Sequence, residues 1–136
     1  MGDKIKVLLV DDDVDFIDLN KAVLENQGFE VSMAFSGREA MDKVKFERPD
    51  LIVLDLMMEK HDSGFTLAKT IKADPLYKHI PVLMLTAVAS ETGFDFSQEM
   101  DGYWMKTDDY ASKPLLPDEL LKKINSLLAR AKKEMK

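Results

Sequence analysis

Short aliphatic runs and helical stripes alternate along the chain. Ile5 to Val10 is a nearly unbroken apolar run, the pattern of a parallel strand covered on both faces. Phe16, Leu19, Val23 and Leu24 then recur at helical spacing, flanked by Ile17, and Asn26-Gln27-Gly28 supplies a stop. Val31, Met33 and Phe35 alternate with smaller or polar residues, which predicts a half-exposed second strand near a sheet edge. Ser36-Gly37-Arg38-Glu39 has capping-box spacing and opens a helix that turns Ala40, Met41 and Val44 inward and ends before Pro49. Leu51 to Leu54 is the most apolar run, so it predicts a central strand, and it ends at Asp55.

The second half repeats the scheme. Ser63 is placed to cap a third helix carrying Leu67, Ala68 and Ile71 inward, closed by Ala73-Asp74-Pro75. Pro81 opens a fourth strand, Val82 to Leu85, which ends at Thr86-Ala87. From Val88 to Thr107 the periodicity fails, with Gly93 and Gly102 as interruptions, and the prediction is a short or displaced fourth helix followed by loop. Tyr110-Ala111-Ser112 reads as a weak fifth strand ending at Lys113-Pro114. Pro117 suits the first turn of a fifth helix with Leu120, Leu121, Ile124, Leu127 and Leu128 inward. Five strands alternating with five helices predict an α/β, doubly wound parallel sheet with right-handed crossovers and helices on both faces.

Composition narrows the function. A chain of 136 residues, 46% hydrophobic, holds one sizeable core, so residues 1–136 are expected to form a single domain. No apolar run approaches the roughly 18 residues of a membrane span, and the acidic start lacks the basic and apolar regions of a signal peptide. A cytoplasmic protein with no membrane partner is therefore expected. The absence of cysteine excludes disulfides, thiolate metal sites and cysteine nucleophiles. A net charge of -6 disfavours direct binding of nucleic acid, and the basic tail from Arg130 to Lys136 has an ordinary explanation at a helix C-terminus.

The candidate chemistry lies at the strand ends. In a doubly wound sheet, ligands bind outside the carboxyl ends of the strands, near the point where the strand order reverses. Strands one, three, four and five deliver Asp11 and Asp12, Asp55, Thr86 and Lys113 to that rim. Of the acids after strand one, Asp13 and Asp15 fit helix capping and the helix dipole, whereas Asp11 and Asp12 belong to the strand end. Three neighbouring carboxylates without histidine or cysteine suit a hard, oxygen-seeking cation such as Mg2+, and Lys113 adds a point charge for a phosphate.

Val10-Asp11-Asp12, Leu54-Asp55-Leu56-Met57-Met58, Leu85-Thr86-Ala87 and Lys113-Pro114 together resemble the four signature segments of the receiver domains of two-component response regulators, in order and over essentially the whole chain. The resemblance implies a flavodoxin-like sheet of strand order 2-1-3-4-5. It implies that Asp55 accepts a phosphoryl group from a histidine kinase or histidine phosphotransfer protein. It also implies that Asp12, Asp55 and the backbone carbonyl of Met57 bind Mg2+ directly, with Asp11 holding it through water. Thr86 and Lys113 would contact the phosphoryl oxygens, and Tyr110 matches the family's aromatic switch residue. The output would be a changed surface on the fourth helix, fifth strand and fifth helix, read by a downstream protein, and the chain would be a signalling protein rather than an enzyme. Met57 and Val88, two positions beyond Asp55 and Thr86, would flank the path of hydrolytic water, and neither side chain can orient it.

Two departures from the family pattern stand out. Glu59 replaces the usual proline after the second methionine, and the loop from Asp55 to Gly64 is one residue longer than usual. The interval from Thr86 to Lys113 is several residues longer too; within it Phe94, Phe96, Tyr103 and Trp104 offer either a roof over the core or a docking surface. His61 and His79 read as solvated loop histidines. The main rival is a haloacid-dehalogenase-like phosphatase, suggested by the Asp11/Asp13 spacing and the pair Asp108-Asp109, but that pair precedes Lys113 instead of following it. A nucleotide- or flavin-binding module is disfavoured by acids where a glycine-rich loop is needed.

Overall fold

The computed structural model describes residues 4–55, 63–86, 109–112 and 115–134. Its elements are β1 (Lys6–Val10), α1 (Val14–Asn26), β2 (Glu30–Ala34), α2 (Gly37–Glu47), β3 (Leu51–Asp55), α3 (Ser63–Ala73), β4 (Val82–Thr86), β5 (Asp109–Ser112) and α4 (Pro117–Glu134). The five strands are all parallel, in the order β2-β1-β3-β4-β5. The central and edge strands therefore fall where the apolarity of Leu51 to Leu54 and the alternation of Val31 to Phe35 predict them. The fourth helix predicted within 88–107 lies outside the described residues, so the last helix is α4.

Alternation along each strand divides the core into two layers. Leu8 and Val10 of β1, Ile52 and Leu54 of β3, and Val82 and Met84 of β4 pack with Ala40 and Val44 of α2 and with Leu67, Ala68 and Ile71 of α3. The intervening residues Val7, Leu9, Leu51, Val53, Leu83 and Leu85 face the other way. They meet Ile17 and Leu24 of α1 and Leu120, Ile124 and Leu127 of α4. Continuous burial of β3 on both faces explains why its sequence does not alternate.

Local chemistry fixes the helix ends. Asp13 caps α1, its Oδ1 accepting from the N–H groups of Asp15 and Phe16 at 3.1 and 3.3 Å. The same helix ends in a Schellman arrangement. The Gly28 N–H donates to the Glu25 carbonyl and the Phe29 N–H to the Leu24 carbonyl, with Gly28 at φ 95°. Ser36 Oγ accepts from the Glu39 N–H at 3.2 Å, and Glu39 reaches back to the Phe35 N–H at 2.7 Å, a near relative of the capping box. α3 begins at Ser63, one position earlier than a cap there would start it.

The inner face of α1 differs from the sequence reading. Ile17, Asn20 and Leu24 are buried, while Leu19 is 55% exposed. Asn20 faces inward with its side-chain amide donating to the Phe16 carbonyl at 2.8 Å, while its buried Oδ1 has no hydrogen-bond partner among the described residues. A second buried polar residue has no forewarning in the sequence. Lys72 is 5% exposed, and its ammonium donates to the carbonyls of Lys78 at 3.1 Å and Ile80 at 2.7 Å, pinning the turn that leads into β4. Among the described residues, no helix is long and apolar enough to cross a membrane.

Candidate functional site

The sheet register assembles the acids. Val10 of β1 is paired with Leu54 of β3, so Asp11 and Asp55 follow at the same level on neighbouring strands. Neighbouring strands lie roughly 4.8 Å apart, which brings the two carboxylates together without help from any loop. This junction is also where the strand order reverses: β2 lies on one side of β1 and β3 on the other. Asp11, Asp12 and Asp55 each present a carboxylate oxygen within 4.8 Å of the others.

The three acids differ in setting. Asp11 and Asp55 are buried, 1% and 5% exposed, and Asp12 faces solvent. Asp11 is fixed at both ends, its N–H donating to the Ala34 carbonyl at 3.1 Å and its Oδ1 accepting from the Asp13 N–H at 3.0 Å. Two buried unit charges 4.8 Å apart repel by roughly 3 kcal/mol at an effective dielectric near 20. A cation relieves that repulsion, and a purely carboxylate donor set fits Mg2+ or another hard divalent ion better than zinc or copper.

The other predicted site residues divide into three cases. Asp55 pairs with Leu85, so Thr86, the last residue of β4, stands one step further out on the same rim, with Ser112 of β5 opposite it. Tyr110 pairs with Met84, two steps back from Ser112, and is 53% exposed on the edge strand. The structure does not bring it into the acid cluster. Met57 and Lys113 lie outside the described residues, as do His61, Trp104 and the rest of 87–108.

What sequence reasoning missed at this site is the backbone that steadies it. The Ala34 carbonyl at the end of β2 anchors Asp11, and no side-chain pattern marks a carbonyl. The rival phosphatase reading loses its acidic pair. Asp109 opens β5 opposite Leu83, away from the rim, and its Oδ2 pairs with Lys123 at 3.3 Å and Arg130 at 3.6 Å of α4. Its role is to tie an edge strand to a helix.

Comparison with known proteins agrees with this geometry. The family model described as the response regulator receiver domain matches residues 7–125. The alkaline phosphatase synthesis transcriptional regulatory protein PhoP of Bacillus subtilis is 38% identical over 126 residues, covering 93% of this chain and 49% of PhoP. The chain thus spans about half the length of the curated relatives it matches. Among solved structures, the chemotaxis response regulator CheY4 of Vibrio cholerae superposes with a TM-score of 0.78 at 33% identity, covering 92% of this chain and 99% of that one. A CheY-like receiver domain protein from Methanospirillum hungatei gives a TM-score of 0.81 at 31% identity, covering 97% and 99%. None of these is a haloacid-dehalogenase-like phosphatase.

Proposed function

This chain belongs to the response regulator receiver domain family, and from that premise we propose that Asp55 is its phosphoacceptor. The observation that carries the reading is the meeting of Asp11, Asp12 and Asp55 within 4.8 Å at the switch point of the sheet. A carboxylate oxygen of Asp55 attacks the phosphorus of a phosphohistidine on a histidine kinase or phosphotransfer protein. The phosphorus–nitrogen bond breaks and the imidazole leaves, so the product is an aspartyl phosphate. Asp11, Asp12, Asp55 and the backbone carbonyl of Met57 are the groups that hold Mg2+, which when bound neutralises negative charge on the carboxylates and phosphoryl oxygens. Burial of Asp55 limits competing attack by water, and the anchored backbone of Asp11 keeps the acid turn in place during transfer.

The remaining roles follow from the chain's own side chains. Lys113 offers its ammonium to the phosphoryl oxygens, and the Thr86 hydroxyl donates to the same group. Movement of Thr86 frees space for the exposed ring of Tyr110, which changes the surface built from β5, α4 and the segment before β5. A downstream protein reads that surface. On this reading residues 1–136 act as one receiver unit in the cytoplasm, touching neither nucleic acid nor membrane directly, and catalysing nothing beyond their own phosphorylation and dephosphorylation.

The test is intact-mass measurement after incubation with Mg2+ and acetyl phosphate. Wild type gains one phosphoryl group and Asp55→Asn gains none. A variant that still acquires the phosphoryl group removes Asp55 from the role. Steady turnover of p-nitrophenyl phosphate by the wild type would return the phosphatase reading.

A further inference from the structure

At the end of the sheet remote from the acids, a cavity of about 640 Å3 opens between the segments that enter β1, β3 and β4 and the last turns of α4. Its volume falls within the roughly 300–1,000 Å3 that encloses small-molecule ligands. Ile5, Leu76, Tyr77 and Leu128 give it an apolar lining, and Ile5 and Leu76 remain 41% and 58% exposed at its mouth. Other large apolar side chains are exposed on this chain, but Ile5 and Leu76 share one concave surface, where a ligand can cover both.

Cations outnumber acids around this cavity. Lys4, Arg48 and Lys132 line it, against a single acid, Asp50, whose Oδ2 already accepts from the Lys6 N–H at 2.8 Å. His79 lies exposed beside them. Lys4, Arg48 and Lys132 are in no ion pair among the described residues, so their charges are open to a ligand. Helix-end carbonyls explain a cation after α2 and another near the end of α4. They explain neither Lys4 nor the apolar mouth. Arg48 is further constrained, with a left-handed backbone at φ 47° and its guanidinium carbon 6.0 Å from the centre of the Tyr77 ring. A non-glycine residue is disfavoured in that conformation, and here it sets a flat cation on a flat ring at the cavity wall.

We propose that this cavity is a binding site for a small aromatic anion of the class of a nucleoside monophosphate. The flat apolar body packs among Ile5, Leu76 and the Arg48–Tyr77 pair. The anionic group meets the ammonium and guanidinium groups of Lys4, Arg48 and Lys132. The site is separate from the phosphoacceptor in every residue, yet β1 and β3 run from one to the other.

Titration of the full chain with adenosine monophosphate, followed by two-dimensional amide NMR in metal-free buffer, tests this. Saturable shifts are expected at Arg48, Tyr77, His79 and Lys132, with Asp11 and Asp12 unmoved. Adenosine, which lacks the charge, should bind at least tenfold more weakly. Arg48→Glu combined with Lys132→Glu should also weaken adenosine monophosphate at least tenfold while Asp55 still accepts a phosphoryl group. If that double variant fails to fold, Lys4→Ala with Lys132→Gln carries the same expectation. Non-saturating shifts, equal affinity for adenosine, undiminished affinity in the folded variant, or a response to polyglutamate with none to the nucleotide would each overturn the proposal.

Discussion

Replacing Asp12 with asparagine should reverse the order of stability between mutant and wild type, depending on whether Mg2+ is present. Asp12 shares the 4.8 Å cluster with two buried carboxylates but faces solvent, so its repulsion is screened. With water as the effective dielectric, each of its two pairings is unfavourable by about 1 kcal/mol before salt reduces it. Asp12→Asn should therefore stabilise the metal-free protein by about 1 kcal/mol, raising Tm by roughly 3–5 °C for a domain of this size. In wild type, Mg2+ at a hundred times its Kd should add about 2.7 kcal/mol, because it binds the native fold and not the unfolded chain. The variant lacks one ligand and should lose most of that gain. Thermal unfolding followed by far-UV circular dichroism, at physiological ionic strength with EDTA or Mg2+, measures all four values. A full-sized Mg2+ shift in the variant would exclude Asp12 as a ligand. A metal-free variant no more stable than wild type would refute the charge argument.

Two other outcomes are expected. Leu24→Ala should destabilise the fold by about 2–5 kcal/mol and Leu19→Ala by less than about 0.5 kcal/mol in urea unfolding, since Leu24 is fully buried and Leu19 is not; similar losses at the two sites would contradict the observed face of α1. If Met57 flanks the path of hydrolytic water, as the resemblance implies, Met57→Asn should shorten the life of the phosphoryl group by supplying a polar side chain there. The decay of phosphorylated mass measures this, and equal decay in mutant and wild type would clear Met57 of any control.

The central and edge strands, both core layers and the acid cluster were legible because they rest on strong local signals, while the full strand order came from the resemblance of the signature segments to receiver domains. Burial on both faces makes β3 read as continuous aliphatic sequence, and a strand that ends in Asp11 or Asp55 can only deliver it to the rim. The capping chemistry of Asp13 and Ser36 was legible for the same reason, since a short polar side chain before a helical stripe has few other uses. On α1 the expected stripe of Phe16, Leu19, Val23 and Leu24 holds at Leu24, but Leu19 faces solvent and Asn20 takes an inward position beside Ile17. Hydropathy rejects an inward asparagine, and the hydrogen bond to the Phe16 carbonyl offsets only the donor half of that cost. The cavity was invisible for another reason. Its walls come from four stretches of chain distant in sequence, and Arg48 and His79 acquire their setting only when α2 and the turn before β4 close over the strand entrances.

That turn also holds an ammonium group which chemistry can interrogate. An amine-reactive acylating reagent needs an accessible, deprotonated nitrogen, and the Lys72 nitrogen is enclosed by the carbonyls of Lys78 and Ile80. Its acylation therefore waits on local opening of 74–80, while the neighbouring exposed Lys78 reacts from the closed state. The ratio of the two rates is a clock for that opening, each tenfold slowing at Lys72 corresponding to about 1.4 kcal/mol. Because Tyr77, His79 and Ile80 belong both to this turn and to the cavity wall, anything that occupies the cavity should slow the clock without touching Lys72 itself.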